Sequence, residues 1–97
     1  NLIEQCKTNG EYFKGKLKKL RDKFPFVTDV RGHGLMLGME LSSQIPGKEV
    51  VKMMLDKGFI INCAGHNTLR FVPPLIITKK EIDQLIVALE ETFNQIQ

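Results

Sequence analysis

Arg70 is the residue whose type and surroundings point most directly to chemistry. It lies within the most apolar stretch of the chain, residues 69–77. Side chains alternate between the two faces of a strand, so Arg70 is predicted to lie on the face opposite to Leu69 and Phe71. A guanidinium among apolar neighbours loses hydration and needs an anion, and its planar fork of donors suits a carboxylate. Two interpretations follow: a carboxylate-binding arginine, or an outward-facing arginine that is solvated or paired with a local acid.

Three glycines, Gly32, Gly34 and Gly38, invite a comparison with nucleotide-binding loops. A dinucleotide fingerprint has the spacing GxGxxG and opens a helix, so that backbone amides and the helix dipole meet a pyrophosphate. Here Leu37 occupies the third glycine position, and the residues around it are typical of a strand. We therefore predict that Gly32 to Gly34 form a tight connection between two strands rather than a phosphate site.

Cys63 and His66 form a possible pair of metal ligands, and Cys6 and His33 could complete a site with them. Zinc sites normally contain two tight ligand pairs, and only this one mixed pair occurs here. Cys6 falls on an apolar helical stripe, where a free cysteine usually packs as a small hydrophobe. Nothing in the sequence marks Cys63 as an activated nucleophile. The sequence therefore favours neither a metal site nor a catalytic cysteine.

Seven elements are predicted to position these residues. The first helix ends near Lys23, because the residue before Pro25 is pushed out of the helical conformation. Gly10 lies on the apolar stripe of that helix, where a glycine costs stability and therefore indicates a close backbone approach. In chain order, the elements are this helix, strands over residues 26–31 and 35–41, a helix over 48–57 ended by Gly58, strands over 59–63 and 68–72, and a final helix.

Apolar stripes indicate the buried face of each helix. The final helix has the clearest start signal, because Thr78 and Glu81 form a capping box. Ile77 and Ile82 stand at the two positions of a hydrophobic staple around it. The predicted inward positions are Ile3, Cys6, Gly10, Phe13, Leu17, Leu20 and Phe24 on the first helix, Val50, Val51, Met54 and Leu55 on the second, and Ile82, Leu85, Ile86, Leu89, Phe93 and Ile96 on the last.

The order of these elements predicts the fold class. Short links between successive strands favour antiparallel pairing, so we expect an α+β fold with a small, mostly antiparallel sheet and helices on one of its faces. A length of 97 residues, 42% of them hydrophobic, fits one domain with one core. We therefore expect residues 1–97 to form a single domain.

Composition and charge exclude several classes of protein. Two cysteines cannot build a disulfide-dense secreted scaffold. No apolar run approaches the ~18 residues of a membrane span, and no signal peptide is visible, so we expect a cytoplasmic protein without a membrane partner. Residues 1–23 carry seven basic and three acidic side chains. A solvated helix face explains them better than a nucleic-acid footprint, because neither a stacking cluster nor a recognition helix accompanies them.

Two segments together carry a resemblance to a known family. Residues 30–41, VRGHGLMLGMEL, and residues 64–78, AGHNTLRFVPPLIIT, resemble the C-terminal domain of the class III aminotransferases. The resemblance implies a fold type I homodimer with pyridoxal phosphate as cofactor and 2-oxoglutarate as amino acceptor. It further implies exchange of an amino group between N-acetylornithine and 2-oxoglutarate in arginine biosynthesis, with Arg70 gripping the α-carboxylate of the amino-acid substrate.

The same resemblance sets limits. In this family the Schiff-base lysine, the aspartate that pairs with the pyridine nitrogen and the phosphate-binding residues belong to a large domain that these residues do not include. No catalytic, cofactor-binding or metal residue is therefore assigned, and Arg31 receives no role. The chain has no initiator Met, so we expect it to be the C-terminal small domain of a longer enzyme, inactive and without bound cofactor on its own. The alternative is a stand-alone α+β interaction or regulatory domain without catalysis.

Overall fold

The structure is a computed structural model that describes residues 2–34, 36–72 and 77–96. Within these residues, three helices and four strands follow one another in the predicted order. They are α1 (Leu2–Lys23), β1 (Val27–His33), β2 (Met36–Leu41), α2 (Gly47–Asp56), β3 (Asn62–Ala64), β4 (Thr68–Phe71) and α3 (Lys79–Ile96).

The four strands form one antiparallel sheet in the order β1-β2-β4-β3. Burial alternates along β2, where Leu37, Met39 and Leu41 are buried and the residues between them are not. One face of the sheet therefore carries the core, and the other face is open. Helices α1 and α2 pack against the strands, and α3 packs against α1 and α2. These observations confirm the predicted α+β class.

Aromatic rings join the helices to the covered face of the sheet. Phe13 of α1 meets Phe71 of β4 edge to face, with ring centroids 5.6 Å apart. Phe93 of α3 packs against Phe24 and Phe26, with ring centroids at 5.4 Å and 5.1 Å. Such edge-to-face pairs add to the free energy gained by burying the rings. Among the described residues, these ring contacts all lie on the covered side of the sheet.

Two local predictions about glycine and capping are confirmed. A Cβ at Gly10 would overlap the carbonyl group of Gly34, so α1 does approach the turn between β1 and β2 closely. The Thr78 amide donates to Glu81 Oε1 at 3.0 Å, and the Glu81 amide donates to Thr78 Oγ1 at 3.1 Å. This reciprocal pair is the predicted capping box. Ile77 is buried as expected of a staple residue.

Two strand boundaries differ from the prediction. Strand β1 does not break at Gly32, because Gly32 pairs with Leu37 and the ladder continues to His33. Strand β3 begins only at Asn62, since the Phe59 amide is already used by the end of α2, where it donates to the Met54 carbonyl at 2.9 Å. The predicted Gly58 end of that helix is confirmed by its φ of 92°.

Two residues predicted to face inward do not. Ile3 is 78% exposed and Leu55 is 57% exposed. Burial on α1 begins at Gly10, so its first two turns carry no buried residue. On α2 the buried positions are Gly47, Val50 and Met54, a stripe too narrow to include Leu55. The predicted stripe was confirmed along α3, and the predicted stripes extended too far at the start of α1 and the end of α2.

Candidate functional site

The open face of the sheet carries Arg70. Leu69 is fully buried, Phe71 is 1% exposed, and Arg70 between them is exposed. The predicted alternation along this strand is therefore confirmed. The expectation that the surrounding apolar residues strip Arg70 of water is wrong for the residues that the structure describes, because Leu69 and Phe71 point to the other face and Val72, on the same side as Arg70, is itself exposed.

Three strands place a second arginine in the same row as Arg70. Gly38 of β2 pairs with Arg31 of β1 on one side and with Arg70 of β4 on the other. Directly opposite residues project to the same face of a sheet, and successive strands lie about 4.8 Å apart. The two arginines therefore flank a glycine, with their Cα atoms about 10 Å apart by that spacing. Asn62 of β3 completes the row beside Arg70.

A depression of about 550 Å³ lies over this row. The small residues Gly38, Ala64 and Thr68 leave the space open, and the apolar side chains of Met36 and Val72 border it. The residues that contribute to it include Arg31, Met36, Gly38, Ala64, Thr68, Arg70 and Val72. Among the described residues, the lining contains two cations and no carboxylate, so it suits an anion with an apolar portion.

The charges around the row leave Arg70 available. Arg31 Nη1 lies 3.0 Å from Asp29 Oδ2, so Arg31 already has an acidic partner on its own strand. The nearby Glu40 carboxylate accepts a hydrogen bond from Thr28 Oγ1 at 3.3 Å, on the β1 side of the sheet. Arg70 forms no ion pair or side-chain hydrogen bond within residues 2–34, 36–72 and 77–96. A ligand carboxylate could therefore take both of its outward-facing donors.

Sequence reasoning found Arg70 but missed its neighbours. Arg31 and Gly38 are neighbours of Arg70 because β4 pairs with β2 in the sheet. That strand order could not be predicted from the sequence. One signal was present: Gly38 interrupts an otherwise apolar strand, and a glycine inside a strand often marks close approach of a ligand or a backbone. The order β1-β2-β4 gives that signal its meaning.

The other candidates from the sequence, the glycine-bearing turn and the Cys and His residues, make local contacts within the fold. Gly34 lies in the turn after β1, and a strand follows it, as predicted. Cys63 Sγ contacts the Gly65 carbonyl at 3.5 Å, and His66 Nε2 lies 2.9 Å from the Ser43 carbonyl. Cys6 packs against the core. Within the described part of the chain, no three His, Cys, Asp or Glu side chains gather as metal ligands; the side chain of His33 lies outside the described residues, as does the segment 73–76 of the apolar stretch.

The basic face of α1 is partly engaged by the rest of the fold. Lys14 Nζ donates to the Gly32 carbonyl at 2.9 Å, and Lys23 Nζ pairs with Glu90 at the same distance. Lys16 lies 3.9 Å from Asp83. The predicted solvated face is represented by the lysines that remain exposed, among them Lys7, Lys18 and Lys19. In the described portion of the chain, no helix is long and apolar enough to cross a membrane.

Comparisons with known proteins point in one direction. The sequence profile of aminotransferase class III matches residues 1–93. Over 88 residues the chain is 51% identical to an acetylornithine aminotransferase of Methanocaldococcus jannaschii, covering 91% of this chain and 22% of that protein. A second acetylornithine aminotransferase, of Caldanaerobacter subterraneus, is 40% identical over 99% of the chain and 24% of its own length.

Solved structures give the same result for the fold. A lysine aminotransferase of M. tuberculosis superposes on 99% of the chain with a TM-score of 0.93 and 32% identity, over 22% of its own chain. An ornithine aminotransferase of Plasmodium yoelii superposes with a TM-score of 0.91 and 27% identity, covering 99% of this chain and 26% of that one. The chain thus spans about a quarter of the length of the proteins that it matches.

Proposed function

We propose a function from the premise that this chain belongs to the class III aminotransferases, whose profile covers residues 1–93. The proposed function is that of the C-terminal, substrate-gripping domain of an enzyme that exchanges an amino group between N-acetylornithine and 2-oxoglutarate in arginine biosynthesis. In this proposal Arg70 binds the α-carboxylate of the amino-acid or oxo-acid substrate. The chain alone is inactive.

One observation carries the proposal: the guanidinium of Arg70 projects from the open face of the sheet, beside a depression, without a partner among the described residues. A planar guanidinium binds a carboxylate through two parallel hydrogen bonds, which fixes orientation as well as position. Fixed orientation matters for amino transfer, because the bond that breaks must be aligned with the reacting group. Arg70 is a binding and orienting residue in this scheme.

The names of the relatives support the substrate class more strongly than one substrate. Two relatives are acetylornithine aminotransferases, whereas the solved structures are a lysine and an ornithine aminotransferase. Acetylornithine, lysine, ornithine and 2-oxoglutarate all carry an α-carboxylate, so the proposed role of Arg70 applies to each. In 2-oxoglutarate this carboxylate is bonded directly to the reacting carbon, whereas in N-acetylornithine the reacting amine lies at the far end of the chain. We therefore expect Arg70 to act most strongly on 2-oxoglutarate and on the glutamate formed from it.

The proposed enzyme uses pyridoxal phosphate, which supplies an electron sink for the bonds at the reacting carbon. The depression beside Arg70 does not fit that cofactor, because it is lined by neither a lysine nor an acid. We propose that the cofactor is held by residues outside these 97. A homodimeric, cytoplasmic enzyme is part of the same proposal and rests on the family resemblance.

The test is to replace Arg70 by Ala and by Lys in the full-length protein that carries this chain. We expect kcat/KM for 2-oxoglutarate to fall by about 10-fold to 150-fold with Arg70→Ala, since a hydrogen bond to a charged group contributes about 1.5–3 kcal/mol. Arg70→Lys should recover part of the loss, because a lysine keeps the charge without the fork. Steady-state kinetics with 2-oxoglutarate and N-acetylornithine, each varied in turn, would measure both.

Arg21→Ala is the matched control, because Arg21 is a half-exposed arginine of α1 that pairs, among the described residues, with the neighbouring Asp22 at 3.8 Å and lies outside the depression. It should leave the kinetics unchanged. The visible absorbance of the bound cofactor checks that each variant is loaded. Unchanged kcat/KM for both substrates in Arg70→Ala would contradict the proposed site.

A further inference from the structure

Gly38 lies in the middle of β2, between the two arginines of the open sheet face. A glycine inside a strand weakens it, because glycine loses more backbone entropy on folding and has no side chain to pack. Strand glycines usually have one of three causes: a bulge, a close approach of another backbone, or a close approach of a ligand. The structure distinguishes among them.

The fold itself does not require a glycine at this position. The ladder is regular on both sides of Gly38, and the register shift between β1 and β2 lies at Val27 and Asp29. Gly38 is also not among the glycines with positive φ. A Cβ built on it would lie 3.8 Å from the Leu69 carbonyl oxygen and 3.9 Å from Arg31 Cγ, both ordinary contact distances. By contrast, a Cβ at Gly10 or Gly32 would overlap backbone atoms.

A side chain at position 38 would enter the depression. Its Cβ would project from the open face between Arg31 and Arg70, both of which line the depression. We propose that Gly38 is a further residue of the substrate-binding site, whose missing side chain gives the substrate α-carboxylate room to reach Arg70. This inference rests on the proposed function of Arg70. It also explains why a strand keeps a residue that weakens it.

The experiment uses Gly38→Ala and Gly38→Val in the full-length protein, with 2-oxoglutarate as the probe. We expect KM for 2-oxoglutarate to rise with the size of the side chain, on the order of tenfold for Gly38→Val, because the added methyl groups would occupy space between the two arginines that the carboxylate needs. The thermal midpoint should stay equal or rise, since valine favours strands and glycine disfavours them. A purely structural glycine would lower the midpoint when replaced.

A double-mutant cycle with Arg70→Ala separates the two proposals. If Gly38→Val acts by blocking the carboxylate at Arg70, it should add little to KM once Arg70 has been removed, so the two effects are not additive. Gly15→Val is the control, because Gly15 is an exposed glycine of α1 with open space around it. It should leave KM unchanged.

The remaining outcomes of this experiment would overturn the role proposed for Gly38, the role proposed for Arg70, or both. A lowered thermal midpoint with unchanged KM, or additive effects of Gly38→Val and Arg70→Ala, would overturn the role of Gly38. If Arg70→Ala raises KM and Gly38→Val does not, the glycine inference fails and the proposed function survives. If Arg70→Ala alone changes nothing, the proposed function fails whatever Gly38→Val does.

Discussion

Gly10 and Gly15 lie on the same helix and differ in what surrounds them. A Cβ at Gly10 would overlap the main chain of the Gly34 turn, whereas a Cβ at Gly15 would meet nothing within 4 Å. Main-chain atoms cannot rotate away as a flexible side chain can, so either α1 or the turn must move to accept Gly10→Ala. Lys14 donates to the Gly32 carbonyl beside this contact, so the movement would also disturb a tertiary hydrogen bond.

These two glycines give opposite predictions for the same substitution. Gly15→Ala should stabilise the chain by up to about 1 kcal/mol, because alanine is the better helix former. Gly10→Ala gains the same helix propensity but must displace main chain, and overpacking costs about 1–3 kcal/mol, so we expect a net loss of stability. Urea denaturation of the two variants would measure both changes. A similar gain in both would show that the helix does not approach the turn as closely as described.

The sequence identified Arg70 as a candidate site residue, but it did not identify Arg31 and Gly38 as its neighbours. The alternation around Arg70 could be read from Leu69 and Phe71, because a period of two needs only local sequence. The row formed with Arg31 and Gly38 depends on which strands are neighbours, and that depends on long-range packing of all seven elements. The same limit applies to Gly10, where the sequence predicted a close approach but not the turn that it meets.

Elements were predicted best where a local motif sets their ends. The α3 start follows from the Thr78–Glu81 box, and the end of α1 follows from Pro25, both of which act within a few residues. Strand β3 was predicted too long because Phe59 looks like a strand residue, although its amide caps α2. The composition of residues 59–61 does not show whether their backbone amides bond to a neighbouring strand or to the end of α2.

The capping box gives the prediction at the scale of the element. Thr78→Ala removes the acceptor for the Glu81 amide and should cost about 1 kcal/mol, the usual loss for a capping side chain. Glu81→Gln should cost less, because a glutamine can still accept from the Thr78 amide. Denaturation midpoints of both variants, beside Thr8→Ala on the exposed face of α1, would rank the three. The prediction is wrong if Thr78→Ala and Thr8→Ala are indistinguishable.

At the scale of the whole molecule, the two terminal helices are tied together by polar contacts. Tyr12 Oη of α1 donates to Asp83 Oδ1 of α3 at 2.5 Å, and the side-chain Nδ2 of Asn9 donates to the carbonyl of Ile77, just before α3, at 2.8 Å. Lys16 and Lys79 lie over the Tyr12 ring, 5.4 Å and 5.3 Å from its centroid. The contact between the first and last helices closes the helical layer over the sheet. Its strength should depend on the protonation state of Tyr12.

Alkaline pH should weaken this tie. The hydrogen bond to Asp83, and then desolvation and the negative charge of Asp83, raise the pKa of Tyr12 above its usual value near 10. A phenol whose pKa is higher in the folded state stabilises the fold below the unfolded-state pKa, and this stabilisation is lost as pH rises through the folded-state pKa.

Stability should therefore fall more steeply above pH ~10 in the parent chain than in Tyr12→Phe. Urea midpoints from pH 8 to 11 would compare the two. Asp83→Asn should flatten the slope only in part, because asparagine can still accept the hydrogen bond but carries no charge to repel a phenolate. If the three curves run parallel, Tyr12 does not link the terminal helices through its proton.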